Sequence, residues 1–331
     1  MGRFDGRRCA VTGAGGFIGL AVCERLTGEG AQVVGLEANP ATHERVEASG
    51  AVFVACDVTD ERALAEALVG AELIIHTAAI VTDFGEMDDF IAVNVRGTRN
   101  VLDAARAVGA ERVVHLSSVV NFGYEHMVEL DDDAYSRQAG IPYIDTKAAS
   151  DALARSRAAQ GQPVTVIRPG DVYGPGSLPW AVRPLDAIRK HRFVLVDGGK
   201  GLMLPIYVDD LVDAIVAALV SQAAVGAALT VWDGHAVTCK EFFEHYARIL
   251  GRKRIPSVPR PLANVAAGAQ ELIARLTGGT PEISRNAITF VSRKAPLSNR
   301  RARELLGWEP KVGLEEGMRR TEAWFRAEGI L

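Results

Sequence analysis

Thr12-Gly13-Ala14-Gly15-Gly16-Phe17-Ile18-Gly19 follows a short apolar run, Cys9 to Thr12, and opens a stretch of helical period. Glycines at 13, 16 and 19 have no Cβ, so the backbone can turn sharply after a strand and approach a pyrophosphate. The helix starting near Phe17 then presents unsatisfied N–H groups to that charge. The spacing is G-x-x-G-x-x-G, not the commoner G-x-G-x-x-G, so the position of the loop between strand and helix carries the reading. From Arg8 to Arg168, β-branched runs alternate with Ala- and Leu-rich segments of helical period. The strands expected are Cys9 to Thr12, Val33 to Glu37, Val52 to Asp57, Leu73 to Thr77, Val113 to Ser118 and Val164 to Arg168. Repeated βαβ units of this kind predict an α/β fold, a Rossmann-type doubly wound parallel sheet with ligands at the carboxyl ends of its strands.

Glu37 ends the second strand, where a carboxylate can accept hydrogen bonds from adenosine ribose hydroxyls and repel a 2′-phosphate. Neither the loop nor Ala38, Asn39 and Pro40 brings a cation to hold such a phosphate, which favours NAD over NADP. Asp57, ending the third strand, reads either as an acceptor for the adenine amino group or as a helix N-cap.

Pro142-Tyr143-Ile144-Asp145-Thr146-Lys147 sets a proline at a helix start and places Tyr143 and Lys147 four residues apart, on one face. A free tyrosine titrates near ~10, and working at neutral pH requires ~4 kcal/mol of preferential phenolate stabilisation. A neighbouring ammonium and a positively charged nicotinamide together supply it. Ser118 stands 25 residues upstream at the end of the fifth strand, where its hydroxyl can donate to a substrate carbonyl.

These segments, with His76 to Ala79, Asn94 to Thr98, Arg168 to Gly176, Tyr207 to Leu211 and Ala302 to Pro310, make the chain resemble the extended short-chain dehydrogenase/reductases, the NAD-dependent epimerase/dehydratase superfamily, over nearly its whole length. The resemblance implies a catalytic triad of Ser118, Tyr143 and Lys147. It implies a cofactor site of Gly13, Gly16, Phe17, Ile18, Gly19, Glu37, Asp57, Val58, Thr77, Ala78, Ala79, Ser117, Tyr143 and Lys147. Asn94 would support that site, and Pro169 and Val172 would flank the nicotinamide. It also implies a homodimer paired through helices of the first domain.

Departures from the sugar-nucleotide members narrow the substrate. Asp171 stands where those enzymes usually have Asn, and Met203 where they carry a diphosphate-binding Arg. A carboxylate repels a diphosphate and a thioether offers it no donor. Val119 and Val120 replace the Asp-Glu pair of the 4,6-dehydratases. His76 to Gly85 is instead similar to the 3β-hydroxysteroid dehydrogenases, with Val81 in the stretch implied to meet substrate. Leu202 to Ile206 reads as an apolar lining around Met203, or simply as core. The expectation is an NAD-dependent oxidoreductase interconverting an apolar secondary alcohol and its ketone. Its rivals are an NAD-dependent nucleotide-sugar epimerase and a non-catalytic NAD-sensing protein.

Composition agrees. The 331 residues are 48% hydrophobic, 24% charged and 6% aromatic, with 37 basic and 41 acidic side chains. That balance gives a globular chain with no excess positive charge for nucleic acid. The expected division is an NAD-binding domain at 1–168, to which 204–233 return, and a smaller, mostly helical substrate domain at 169–203 and 234–331. Cys9, Cys23, Cys56 and Cys239 form no C-x-x-C pair, and no secretory signal opens the chain, so a cytoplasmic protein is expected. Leu211 to Trp232 is too interrupted to span a membrane, and the seven histidines show no ligand spacing, so no metal is expected. Glu129 to Asp133 reads as a solvated loop. Arg252 to Arg260 leads into an amphipathic segment, Leu262 to Leu276, read as a lid helix before a contact with an anionic membrane.

Overall fold

The computed structural model describes residues 2–82, 84–281 and 283–331; Asp83, in the stretch similar to hydroxysteroid dehydrogenases, lies outside them. Strands and helices alternate: β1 (Arg8–Thr12), α1 (Phe17–Gly28), β2 (Gln32–Glu37), α2 (His43–Ala48), β3 (Val52–Ala55), α3 (Glu61–Ala67), β4 (Leu73–His76), α4 (Met87–Phe90), α5 (Thr98–Ala107), β5 (Arg112–Leu116), α6 (Pro142–Ala159) and β6 (Val164–Pro169). Short pieces follow: β7 (Asp171–Tyr173), α7 (Arg183–Arg189), β8 (Leu195–Val196), β9 (Leu202–Met203) and β10 (Pro205–Tyr207), then α8 (Val208–Val220) and β11 (Ala228–Val231). The last third holds β12 (Val237–Thr238), α9 (Cys239–Ile249), β13 (Ser257–Val258), α10 (Arg260–Thr277), α11 (Arg285–Phe290), α12 (Arg300–Leu306) and α13 (Leu314–Ala327).

Seven parallel strands form the main sheet in the order β11-β6-β5-β4-β1-β2-β3, a doubly wound Rossmann-type sheet whose direction of winding reverses between β1 and β4. Register places Thr12 beside both Leu36 and His76, and His76 beside His115. The carboxyl ends of the central strands therefore line one crevice. Because strand side chains alternate, Ala10, Ile74 and Val113 pack on one face with Leu64, Leu102 and Ala154. Val11, Ile75 and Val114 pack on the other, in an apolar cluster that continues through Leu211 and Ile215 of α8 to Phe242, Met318 and Phe325.

Three strands stop short of their expected ends, at Ala55, His76 and Leu116. One further amide past each end, of Cys56, Thr77 and Ser117, still donates to the neighbouring strand, and side-chain bonds then take over. Thr59 donates to Asp57 through both its amide and its hydroxyl, Thr77 Oγ1 donates to the Thr12 carbonyl, and Ser118 caps a 3-10 turn over Val119–Phe122.

Candidate functional site

Gly13 and Gly19 of the first loop are sterically required. Gly13 has φ +71°, and a Cβ there would lie 2.8 Å from the Ala78 backbone; a Cβ on Gly19 would lie 2.1 Å from the Gly13 carbonyl oxygen. Loop, α1 and the chain just after β4 are thus packed backbone to backbone. Gly16 precedes α1 with no side-chain cap, so the first-turn N–H groups stay available to an anion. Phe17 and Ile18 open that helix. Glu37 accepts from the Gly15 amide at 3.1 Å and the Asn39 amide at 3.0 Å, one on each oxygen, which turns the carboxylate toward the loop. Each oxygen retains a lone pair for a ribose hydroxyl. Asp57 is exposed and is no N-cap: Asp60 caps α3 by accepting from Arg62 and Ala63. Val58 is buried beneath Gly97, whose Cβ would touch it. Ala78 and Ala79 are half-buried and Val81 is exposed.

A buried polar chain fixes the crevice. Thr98 Oγ1 donates to the Asn94 carbonyl at 2.7 Å, so it can only accept from His76 Nε2 at 3.0 Å. That assigns the neutral Nε2–H tautomer and leaves Nδ1 to accept from Thr12 Oγ1 at 2.7 Å. Burial, and then the charge of Lys147, push the His76 pKa down to about 3, in keeping with a neutral ring. Asn94 lies in a π-helical turn, Ile91–Gly97. It accepts from the Ile80 amide at 2.8 Å and donates to Thr146 Oγ1 at 3.0 Å. Thr146 stands between Tyr143 and Lys147, so Asn94 ties α6 to the loop after β4.

Pro142 is the first residue of α6, Tyr143 is half-buried and Lys147 is buried. Lys147 Nζ donates to the Leu116 carbonyl at 2.5 Å, using one of its three N–H bonds. Burial lowers its pKa to about 8, and the charge of Asp151, one helical turn on, acts in the opposite direction. Ser118 Oγ accepts from the Val120 amide at 3.3 Å, which leaves its own proton free to donate. Ser117 points elsewhere: its hydroxyl donates to Asp151 at 2.8 Å and accepts from Asn121 at 2.9 Å.

Asp151 and Arg168 did not emerge from the sequence as a pair. The guanidinium meets the carboxylate through Nε and Nη2, both at 2.8 Å, with both side chains almost fully buried. Burial alone would raise the Asp151 pKa, but Arg168 and Ser117 bring it below the usual carboxylate range. The i, i+4 step from Lys147 to Asp151 was the available signal. Arg293 had none. It lies 122 residues from Asp171, yet its Nη1 sits 3.4 Å from Asp171 Oδ2, with its guanidinium over the rings of Phe290 and Tyr124 at 4.8 and 5.7 Å. Asp171 also accepts from the Leu204 amide at 2.7 Å. Met203 is wholly buried in β9, paired with β12. Pro169 and Val172 are buried around Gly170, where a Cβ would strike the Leu204 carbonyl.

The profile of the NAD dependent epimerase/dehydratase family matches residues 9–230, two thirds of the chain. The chain belongs to that family. Its members are NAD-dependent enzymes, and the glycine cradle and Glu37 fit NAD. Three relatives span almost the whole chain. A 2-alkyl-3-oxoalkanoate reductase of Stenotrophomonas maltophilia is 27% identical, over 95% of this chain and 98% of its own. A UDP-glucose 4-epimerase of Mycolicibacterium smegmatis is 30% identical over 96% and 98%. A 3beta-hydroxysteroid-dehydrogenase/decarboxylase of Arabidopsis thaliana is 27% identical over 95% and 61%. Among the described residues no cluster of His, Cys, Asp and Glu could hold a metal ion, and no helix is long and apolar enough to cross a membrane.

Proposed function

We propose that this family member oxidises an apolar secondary alcohol, of the bulk of a 3β-hydroxysteroid or an alkyl-branched hydroxy acid, to its ketone, and catalyses the reverse reduction. NAD supplies the hydride acceptor at its nicotinamide ring. Tyr143, as phenolate, takes the hydroxyl proton of the alcohol, and Lys147 stabilises that phenolate while its charge is held. Ser118 donates its free proton to the substrate oxygen. The cofactor would be held by the Gly13–Gly19 loop, by Glu37 and Asp57 at the adenosine end, and by Ala78, Ala79, Pro169 and Val172 near the nicotinamide. Asn94 and Ser117 act by fixing α6 and the Ser118 turn.

The observation that carries the substrate class is the Asp171–Arg293 pair. Arg293 packs on Tyr124, just beyond the turn that Ser118 caps, and Asp171 neutralises it. A diphosphate placed here would compete with a buried carboxylate for that cation, and the neighbouring Met203 offers it no donor. Relatives whose names specify a reductase of alkyl oxo acids and a steroid dehydrogenase support the same reading. The 30%-identical epimerase favours the rival, a nucleotide-sugar enzyme that retains its NAD.

Absorbance at 340 nm over a panel of 3β-hydroxysteroids, 2-alkyl-3-hydroxy acids and UDP-glucose, together with calorimetry of UDP-glucose, separates the two. Growth of NADH with an apolar alcohol and weak UDP-glucose binding are expected. Micromolar UDP-glucose binding with no NADH from any apolar alcohol would replace this reading by the epimerase.

A further inference from the structure

Helix α10 buries two small residues and exposes its larger apolar side chains. Ala267 and Ala274 are buried, whereas Leu262, Val265, Leu272, Ile273 and Leu276 are 58 to 78% exposed. At 100° per residue these five, with exposed Ala266 and Ala269 between them, fall within an arc of about 120° along about 21 Å of helix axis. The charged residues of the helix, Arg260, Glu271 and Arg275, all lie outside that arc. An amphipathic helix whose wider apolar stripe faces away from the core presents that stripe to something else.

Charge says what. From Arg252 to Arg285 the sequence carries six basic and two acidic side chains, in a chain whose net charge is −4. Lys253 and Arg254 are exposed just ahead of the helix, and Arg275 is exposed on the flank of the stripe. A second copy packed helix to helix would bring two such basic segments together, whereas a layer of anionic headgroups neutralises one. The helix is bounded by Pro259 before it and by Gly278, in the left-handed conformation at φ +69°, after it. No helix among the described residues is long and apolar enough to cross a membrane, so the contact is in the plane of the surface.

We propose that α10 docks on an anionic phospholipid bilayer, with the Leu262–Leu276 stripe at the acyl boundary and Lys253, Arg254 and Arg275 against the headgroups. Helix α10 also packs on α11, whose Phe290 stacks on Trp180 and beneath Arg293, so docking brings the membrane toward the segment whose Arg293 pairs with Asp171.

Co-sedimentation of the full chain with vesicles tests this without any substrate, so its outcome is read separately from the dehydrogenase reading. Partition onto equimolar phosphatidylglycerol and phosphatidylcholine should exceed that onto phosphatidylcholine alone by ~10-fold or more, and should fall with salt. The double variant Leu272→Glu/Ile273→Glu should lose binding while NAD affinity stays unchanged. Lys253→Glu/Arg254→Glu lies outside the helix and should also lose it, which keeps the test open if the first variant fails to fold. Absence of partition at low salt overturns the proposal, as does partition that both variants leave unchanged. A dimer that Leu272→Glu/Ile273→Glu dissolves, in a protein that ignores vesicles, also overturns it and assigns the stripe to a second copy.

Discussion

In the proposed reaction Tyr143 exchanges the proton with substrate, and it stands one helical turn from the buried ammonium of Lys147. Tyr143→Phe keeps the ring and removes the hydroxyl. Turnover is expected to fall ~10²-fold or more, with NAD affinity little changed. Steady-state rates alongside a nucleotide titration check this, and near-normal turnover would show the proton moving elsewhere. Gly13 supports a complementary test. At φ +71°, with backbone 2.8 Å from any Cβ, Gly13→Ala should weaken NAD binding at least ~10-fold, equal to ~1.4 kcal/mol, in a protein that still folds. Equal binding by the variant would place the pyrophosphate away from this loop. Glu37 should favour NAD over NADP by a similar factor, read from competing titrations of the two nucleotides.

At the scale of elements, α6 sets Tyr143, Lys147 and Asp151 along one face at successive i, i+4 steps, and the proposed chemistry runs along that face. The first two were legible in the sequence because a proline starts the helix and the spacing is local. Asp151 has the same spacing, but its importance comes from Arg168 on the neighbouring strand, Ser117, and Asn121 in the turn after Ser118, and only the fold brings these together. The consequence is a pH dependence with a definite sign. A lysine is charged below its pKa, and burial has brought that of Lys147 down to about 8, so support for the phenolate is lost as pH rises through that value. Asp151 is the charge holding the pKa up. Asp151→Asn should therefore move the alkaline fall in kcat to lower pH, and Asp151→Glu should restore it. Lysine Cε NMR titration reads the same change without substrate. An unmoved midpoint in folded Asp151→Asn protein would make the carboxylate a purely structural partner of Arg168.

Across the whole molecule, the doubly wound sheet was readable because each strand is a short β-branched run and each crossover has helical period. The errors were at strand ends, where side-chain bonds of Asp57, Thr77 and Ser118, which periodicity does not register, take over from the ladder. The substrate side was less legible. Asp171 and Met203 stood out as departures from sugar-nucleotide enzymes, but the cation that gives Asp171 its meaning enters from residue 293, 122 residues along the chain. Burial raises the Asp171 pKa and Arg293 offsets part of that rise, so removing the carboxylate strands a buried guanidinium. Asp171→Asn should cost ~3 to 5 kcal/mol of stability by denaturant titration and should strengthen UDP-glucose binding, because Arg293 becomes free for an anion. A variant of unchanged stability and affinity would remove the pair from the specificity argument.

In the proposed reaction a carbinol hydrogen of an apolar alcohol leaves on the nucleotide, with net turnover. It is tested most directly by incubating the enzyme with NAD and a 3β-hydroxysteroid or 2-alkyl-3-hydroxy acid deuterated at the carbinol carbon, then weighing the released nucleotide by mass spectrometry. Free NADH one mass unit heavier than that from the unlabelled alcohol is expected, in amounts exceeding the enzyme many times over. Free NADH that never appears, with UDP-glucose converted to its C4 epimer by the same preparation, would contradict it.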